Sequence, residues 1–271
     1  MSLPPAPDGF AWTTESWGAA LRCVPLAAIA PHLFTTRQLS LASPSDTDRL
    51  AAAVGARRVA MARQVHGRTV VVMRHGDVVT RPPEGGPYEG SPYEGSPDAA
   101  PEADAFVSDS ADVAVAIRVA DCVPLLMADR ARGVVAAVHA GWRGTAARAA
   151  GAALEALERE FGTRPADVVA AIGPSIGPCC YQVDARVRDT FLAATPDAAA
   201  WLSDDGPGHW RLDLWRANAD ALEAVGVPAE AIHTARYCTA DHLDTCFSYR
   251  REGERTGRLV AAIRLKTSPG S

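Results

Sequence analysis

Three apolar runs crowded between positions 113 and 139 constrain this chain more than any other feature. Residues 113–119 are apolar and β-branched, residues 122–127 form a second apolar run, and residues 134–138 form a third. Runs this short, bounded by turn residues, read as strands. Asp129-Arg130-Ala131-Arg132-Gly133 separates the last two and ends in glycine, as a hairpin turn does. A hairpin centred near Arg130 and Ala131 pairs positions whose numbers sum to about 261, which is 122 plus 139. Cys122 and His139 then share one face, with Cβ atoms about 5 Å apart. Pro124 removes one ladder donor and points to an edge strand or a bulge.

The rest of the chain mixes strands and helices without a βαβ rhythm, which predicts an α+β fold rather than a doubly wound sheet. Residues 58–73 are strand-like and interrupted at His66-Gly67. Ala150, Leu154, Leu157 and Phe161 fall on one helical face, and Gly162 is placed to stop the helix. Further helices are expected near 183–192 and 214–225, and strands at 168–172, 232–235 and 259–265. Residues 1–30 read as a partly irregular N-terminal segment ahead of a single catalytic domain over 31–271. Within that domain, residues 85–101 repeat Pro-Tyr-Glu-Gly-Ser in tandem. So polar a stretch predicts a mobile surface insertion, a tolerated loop in preference to a lid carrying Tyr88 and Tyr93.

Charge narrows the partners. Lys and Arg number 27 against 32 Asp and Glu, a net charge of −5 that argues against a nucleic-acid binder. Lys266 is the only lysine, so any single arginine is weak evidence of an anion site. No run approaches the roughly 18 apolar residues of a membrane span. The N-terminal residues lack a basic region followed by an apolar core, and the expectation is a cytoplasmic protein. Six cysteines are spread over a long chain with no Cys-x2-Cys pair, so each is judged by its surroundings.

Three residues combine metal-ligand chemistry with a strand-end setting: His66 in Gln64-Val65-His66-Gly67, Cys122 in Ala120-Asp121-Cys122, and His139 ahead of Ala140-Gly141-Trp142-Arg143-Gly144. Two imidazoles and a thiolate suit zinc, and three protein ligands leave the open position that catalysis needs. The plainer alternative is that His66 caps a turn and Cys122 is an ordinary buried cysteine.

The segments QVHG, ADCVPLL, HAGWRG, GPSIGPCCYQV, CT followed by FSYRR, and TGR occur in that order. Together they resemble a bacterial family long labelled laccase-domain or polyphenol oxidase, whose members are understood as purine nucleoside phosphorylases. The resemblance runs from about residue 31 to 265. It implies zinc held by His66, Cys122 and His139. It also implies phosphorolysis of adenosine, inosine and methylthioadenosine, with adenosine deamination as a side activity. Purine nucleosides and inorganic phosphate are the implied partners, with no nucleic acid and no membrane, in a monomer or homodimer. The implied fold is one α+β domain of layered mixed sheets flanked by helices, resembling the catalytic domain of cytotoxic necrotizing factor. The chain departs from the family pattern in the long 85–101 insertion and in the segment after Phe34.

Other residues are candidates for supporting roles. Arg143, at a helix start between glycines, suits phosphate. Trp142 suits stacking on a purine, Asp121 the orientation of a ligand, and Arg250 with Arg251 the pocket rim. Cys179 and Cys180 read as structural. Cys238, His242 and Cys246 have the spacing of a second metal cluster, where the resemblance places no metal. Two competing activities are a metal-free Cys–His hydrolase or deamidase using Cys122 and His139, and a copper-dependent polyphenol oxidase. The oxidase is disfavoured because seven scattered histidines do not supply a multinuclear copper centre.

Overall fold

The computed structural model describes residues 3–41, 43–75, 77–80, 89–91 and 100–266. Its strands, in chain order, are β1 (Phe10–Glu15), β2 (Gly18–Cys23), β3 (His32–Thr35), β4 (Arg58–Met61), β5 (Val70–Arg74) and β6 (Asp77–Thr80). There follow β7 (Glu89–Ser91), β8 (Ala105–Ser108), β9 (Val113–Val119), β10 (Val123–Asp129), β11 (Val134–Ala140) and β12 (Val168–Ile172). The last are β13 (Gln182–Asp184), β14 (Leu202–Asp204), β15 (His209–Leu212), β16 (Ile232–Thr234) and β17 (Leu259–Ile263). The helices are α1 (Val24–Ala27), α2 (Pro44–Val54), α3 (Trp142–Ala146), α4 (Ala149–Phe161), α5 (Ala185–Ala194), α6 (Leu214–Ala224) and α7 (Tyr249–Glu252).

Two mixed sheets form the body of this α+β domain. One has six strands in the order β1-β2-β3-β17-β9-β4, and the other eight in the order β16-β12-β10-β11-β8-β5-β6-β7. A small third sheet, β13-β15-β14, is inserted in sequence between β12 and β16 of the eight-stranded sheet. The two large sheets pack face to face through β9 and β17 on one side and β8, β10 and β11 on the other. Alternation along β9 explains how both of its faces are buried. Val113, Val115, Ile117 and Val119 enter the core between the sheets, while Ala114 and Ala116 join Leu50 and Val54 of α2 in a second core. Helix α4 covers the outer face of the eight-stranded sheet over β5, β8 and β11. It ends at Gly162, whose φ of 69° is the left-handed stop expected of a glycine there.

The hairpin forms, with a shifted register. Val123 faces Ala140 and Pro124 faces His139, so paired numbers sum to 263 rather than 261. The Asp129 carboxylate accepts the backbone N–H groups of Ala131 (2.7 Å) and Arg132 (3.0 Å) and centres the turn one residue later. Because the shift in the sum is even, Cys122 and His139 stay on one face as diagonal neighbours. Pro124 lies in a central strand, between β11 and β12, and not on an edge. It is tolerated because the ladder with β12 begins only at Leu125, and its carbonyl accepts from Gly173 N at 2.9 Å.

Residues 3–30 are more ordered than the expected partly irregular segment. β1 and β2 pair in the six-stranded sheet, and Phe10, Leu21, Cys23 and Leu26 are buried in the main core. Ala19, Ala20 and Leu21 are buried in succession, so β2 carries no two-residue alternation to reveal it. The expected surface insertion at 85–101 lies outside the described residues except for 89–91 and 100–101. Residues 89–91 are not loop: β7 pairs antiparallel with β6 at the edge of the eight-stranded sheet.

Candidate metal centre and its cavity

His66 and Cys122 occupy equivalent places in the topology. Each lies where the chain crosses from the six-stranded to the eight-stranded sheet, His66 between β4 and β5 and Cys122 between β9 and β10. His139 is the penultimate residue of β11. The sheets therefore deliver all three side chains to one end of the sandwich, with their ligand atoms within 4.8 Å of one another. The rings of His66 and His139 meet edge to face at 4.8 Å between centroids.

Local backbone geometry supports this convergence. His66 has a φ of 60°, a left-handed conformation that a β-branched residue would resist. Its N–H donates to Asp104 Oδ1 (2.9 Å), and the N–H of Gly67 donates to Asp104 Oδ2 (2.6 Å). Asp104 is fully buried and also accepts from His139 Nδ1 at 2.8 Å. One carboxylate thus fixes the His66 turn and sets the His139 tautomer, leaving His139 Nε2 as the free donor atom. The sequence reading missed Asp104. Its only local signal is an acid immediately before an apolar strand.

Space and charge are equally specific. A Cβ on Gly141 would lie 2.9 Å from Cys122 Sγ and 3.4 Å from His66 Cδ2, so the glycine leaves room for both side chains. Burial acts to raise the Cys122 pKa, but hydrogen bonds and charge from His139 and His66 outweigh it and lower the thiol to about 7. Burial likewise opposes charge on His139, yet the Asp104 and Cys122 hydrogen bonds raise it to about 9. Without metal, the pair is poised as thiolate and imidazolium. With a soft or borderline divalent cation, the same nitrogen and sulfur donors are a fitting set.

The three residues line a cavity of about 960 Å³. Trp142, Tyr181 and Tyr249 contribute aromatic rings to its wall, and Arg63, Arg118, Arg250 and Arg258 contribute guanidinium groups. Gln64 binds Arg118 reciprocally: its Nε2 donates to the Arg118 carbonyl and its Oε1 accepts from the Arg118 N–H, both at 2.8 Å. Arg118 is exposed, and among the described residues its guanidinium has no carboxylate partner.

The supporting candidates divide. Trp142 and Arg250 line the cavity, and the Arg250 guanidinium sits 5.2 Å from the Tyr181 ring centre. Asp121 also lines it but points away from the triad. Its Oδ1 accepts from Thr239 Oγ1 and its Oδ2 from Arg250 N, both at 2.6 Å, which ties the Cys122 turn to two later loops. Arg143 is not among the lining residues. It is exposed, with its guanidinium 4.3 Å from the Trp142 ring centre. Consecutive helical residues point about 100° apart, so Trp142 facing inward turns Arg143 outward.

Cys238, His242 and Cys246, which have the spacing of a metal cluster but where the resemblance places no metal, do not assemble into one among the described residues. His242 stacks on Tyr237 at 4.0 Å between centroids, and Cys246 is buried beside Thr245. Cys238 instead meets Cys179, Cys180 and Asp241.

Comparison with known proteins agrees with this architecture. The purine nucleoside phosphorylase PA4543 of Pseudomonas aeruginosa is 33% identical over 268 residues, 94% of this chain and 99% of that one. The purine nucleoside phosphorylase YlmD of Geobacillus stearothermophilus is 40% identical over 167 residues, a match spanning 61% of this chain and 61% of that relative's length. The crystal structure of YlmD from Geobacillus stearothermophilus superimposes with a TM-score of 0.79 at 31% identity, covering 94% of this chain and 99% of that one. That of the Bacillus licheniformis hypothetical protein YfiH gives 0.80 at 26% identity, with the same coverage. No helix among the described residues is long and apolar enough to cross a membrane. The family described as multi-copper polyphenol oxidoreductase laccase matches residues 43–266, a span that contains His66, Cys122 and His139, and the chain belongs to that family.

Proposed function

We propose that the protein is a zinc-dependent purine nucleoside phosphorylase acting on adenosine, inosine and methylthioadenosine, with adenosine deamination as a side reaction. The observation that carries this reading is one cavity holding three kinds of group at once. The two-histidine, one-cysteine set, four arginines and three aromatic rings all line it. A nucleoside fits a cavity of this size. Trp142, Tyr181 and Tyr249 provide surfaces for the flat base. Arg118, with Arg63 and Arg258, provides the positive charge that phosphate requires. Arg63 is already paired with Glu102, and the Arg258 guanidinium donates to the Thr256 and Gly257 carbonyls, which leaves Arg118 the freest of them. His66, Cys122 and His139 would hold zinc, which supplies Lewis-acid polarisation when bound. Asp104 keeps the proton on His139 Nδ1 throughout. The names of the relatives support the same substrate class.

A second reading draws on the lowered thiol of Cys122 beside the raised imidazole of His139. That pair would serve a metal-free Cys–His hydrolase or deamidase. Stoichiometric metal bound through Cys122 removes the free thiolate and with it this reading. Copper oxidase chemistry is disfavoured, because among the described residues the candidate ligand groups contain only two imidazoles. The test is a nucleoside panel incubated with and without phosphate, with products resolved by chromatography. Phosphate-dependent release of free base supports the proposal, and an inert panel refutes it.

A further inference from the structure

We propose that Cys179, Cys180, Cys238 and Asp241 form a second metal site, closed and structural, that takes zinc. Their three sulfurs and a carboxylate oxygen lie within 4.8 Å of one another. The set shares no residue with the His66–Cys122–His139 triad. Zinc–sulfur bonds of about 2.3 Å place tetrahedral sulfurs about 3.8 Å apart, inside that span.

Two distant segments are held together to make the cluster. Cys179 and Cys180 lie in a turn closed by the N–H groups of Cys180 and Tyr181 on the Gly177 carbonyl, both at 3.0 Å. Cys238 and Asp241 are separated by two residues in a second turn, with Asp241 N donating to the Cys238 carbonyl at 3.2 Å. This is the short two-residue spacing at which structural zinc turns present paired donors. A parallel bridge between Ser175 and Cys238 clamps the segments, so the convergence comes from backbone pairing and not from side-chain rotation alone.

The donors already interact as a ligand set would. Asp241 accepts from the Cys179 thiol through Oδ2 (3.0 Å) and from the Cys180 thiol through Oδ1 (2.9 Å). Gly177 N–H donates to Cys238 Sγ at 3.3 Å, the contact that steadies a metal-bound thiolate. A divalent cation among three thiolates and a carboxylate leaves excess negative charge. Arg251 stands in position to offset it, with Nη2 at 3.6 Å from Cys180 Sγ and 4.0 Å from Asp241 Oδ1. Three thiolates select a soft or borderline ion, and four protein donors leave no open position, so the site is structural.

Its place in the fold gives it a task. Tyr181 follows Cys180 and lines the nucleoside cavity, and Thr239 follows Cys238 and donates to Asp121 beside Cys122. A metal here would brace that cavity wall from behind. Binding takes the three thiols to thiolates and releases their protons.

The test uses full-length protein in which Cys122→Ala removes the triad's sulfur. Zinc content by mass spectrometry is expected to be about one equivalent per chain after dialysis, as for a closed structural site. Adding Cys180→Ser or, at an exposed position, Asp241→Asn should lower retention sharply, with the circular dichroism spectrum unchanged. Cobalt loading of the Cys122→Ala protein should give a thiolate charge-transfer band that Cys179→Ser weakens. Absence of metal from folded Cys122→Ala protein overturns the proposal. So does a disulfide among these cysteines in the freshly isolated protein, or zinc retention indifferent to both added substitutions.

Discussion

Asp104 and His139 are joined by a 2.8 Å hydrogen bond between two fully buried side chains, and the same carboxylate holds the backbone turn that carries His66. Two of the three candidate ligands are thus aimed by a residue that touches neither the cavity nor the metal position. The pull of His139 and of the Gly67 and His66 N–H groups outweighs burial and keeps Asp104 below the usual carboxylate range.

Replacing this carboxylate should therefore weaken metal binding without touching a ligand. Asp104→Asn offers one acceptor oxygen where two are used, and its amide favours the wrong His139 tautomer. Zinc affinity of the triad should fall about 10- to 100-fold. Competition with a chromophoric chelator, in a Cys180→Ser background that removes the second cluster, measures it. An unchanged affinity would show that the metal, not Asp104, orients the ring.

A different buried histidine governs acid stability. His32 is fully buried, with Nδ1 against the Ala30 carbonyl and Nε2 accepting from Cys23 N, both at 3.0 Å. One ring nitrogen must donate and the other accept, so the neutral form is built in. Burial lowers its pKa to about 4, against a pull upward from the Ala30 carbonyl. The unfolded chain protonates near 6.5, so its contribution is fully present above that pH and is lost as pH falls toward 4. The whole effect is about 3 kcal/mol. Urea midpoints measured from neutral pH down to about 4.5 should fall for the wild type and fall less for His32→Gln. Parallel profiles would assign the acid sensitivity elsewhere.

The cavity geometry separates two arginines that look alike in sequence. Arg118 lines the cavity and lacks a carboxylate partner among the described residues, whereas Arg143 lies outside against Trp142. Removing a charge-assisted contact costs about 1.5 to 3 kcal/mol, so Arg118→Ala should lower phosphorolysis at subsaturating phosphate by roughly 10- to 150-fold. Arg143→Ala should change it by about twofold or less. Adenosine deamination, which consumes no phosphate, should survive Arg118→Ala far better. The reverse ranking of the two variants would return the phosphate role to the start of α3.

The convergence of His66, Cys122 and His139 is legible in the sequence because each stands beside its own turn signal and the hairpin parity survives an even slip in register. Helix α4 was equally plain, since its apolar face and Gly162 stop are local features. What stayed hidden depends on contacts between distant segments. Asp104 acts through the backbone of residues 66 and 67, nearly 40 positions earlier in the chain. Cys238 pairs with Cys179 and Cys180, although His242 and Cys246 are nearer in sequence. The loss of Arg143 from the cavity reflects the rotation between neighbouring helical residues, which a motif does not record. β2 was hidden for another reason: with both faces covered, its small residues show no alternation.

The central claim is that the metal-holding triad and the phosphorolysis of purine nucleosides belong to one cavity. The most direct test follows ribose 1-phosphate formed from inosine and phosphate by wild-type protein and by His139→Ala, with metal content measured on the same samples. Phosphate-dependent product is expected in proportion to triad metal in the wild type. Almost none is expected in His139→Ala, with the fold retained. Turnover in His139→Ala equal to wild type, or a fully metal-loaded wild type that leaves inosine intact, would contradict that claim.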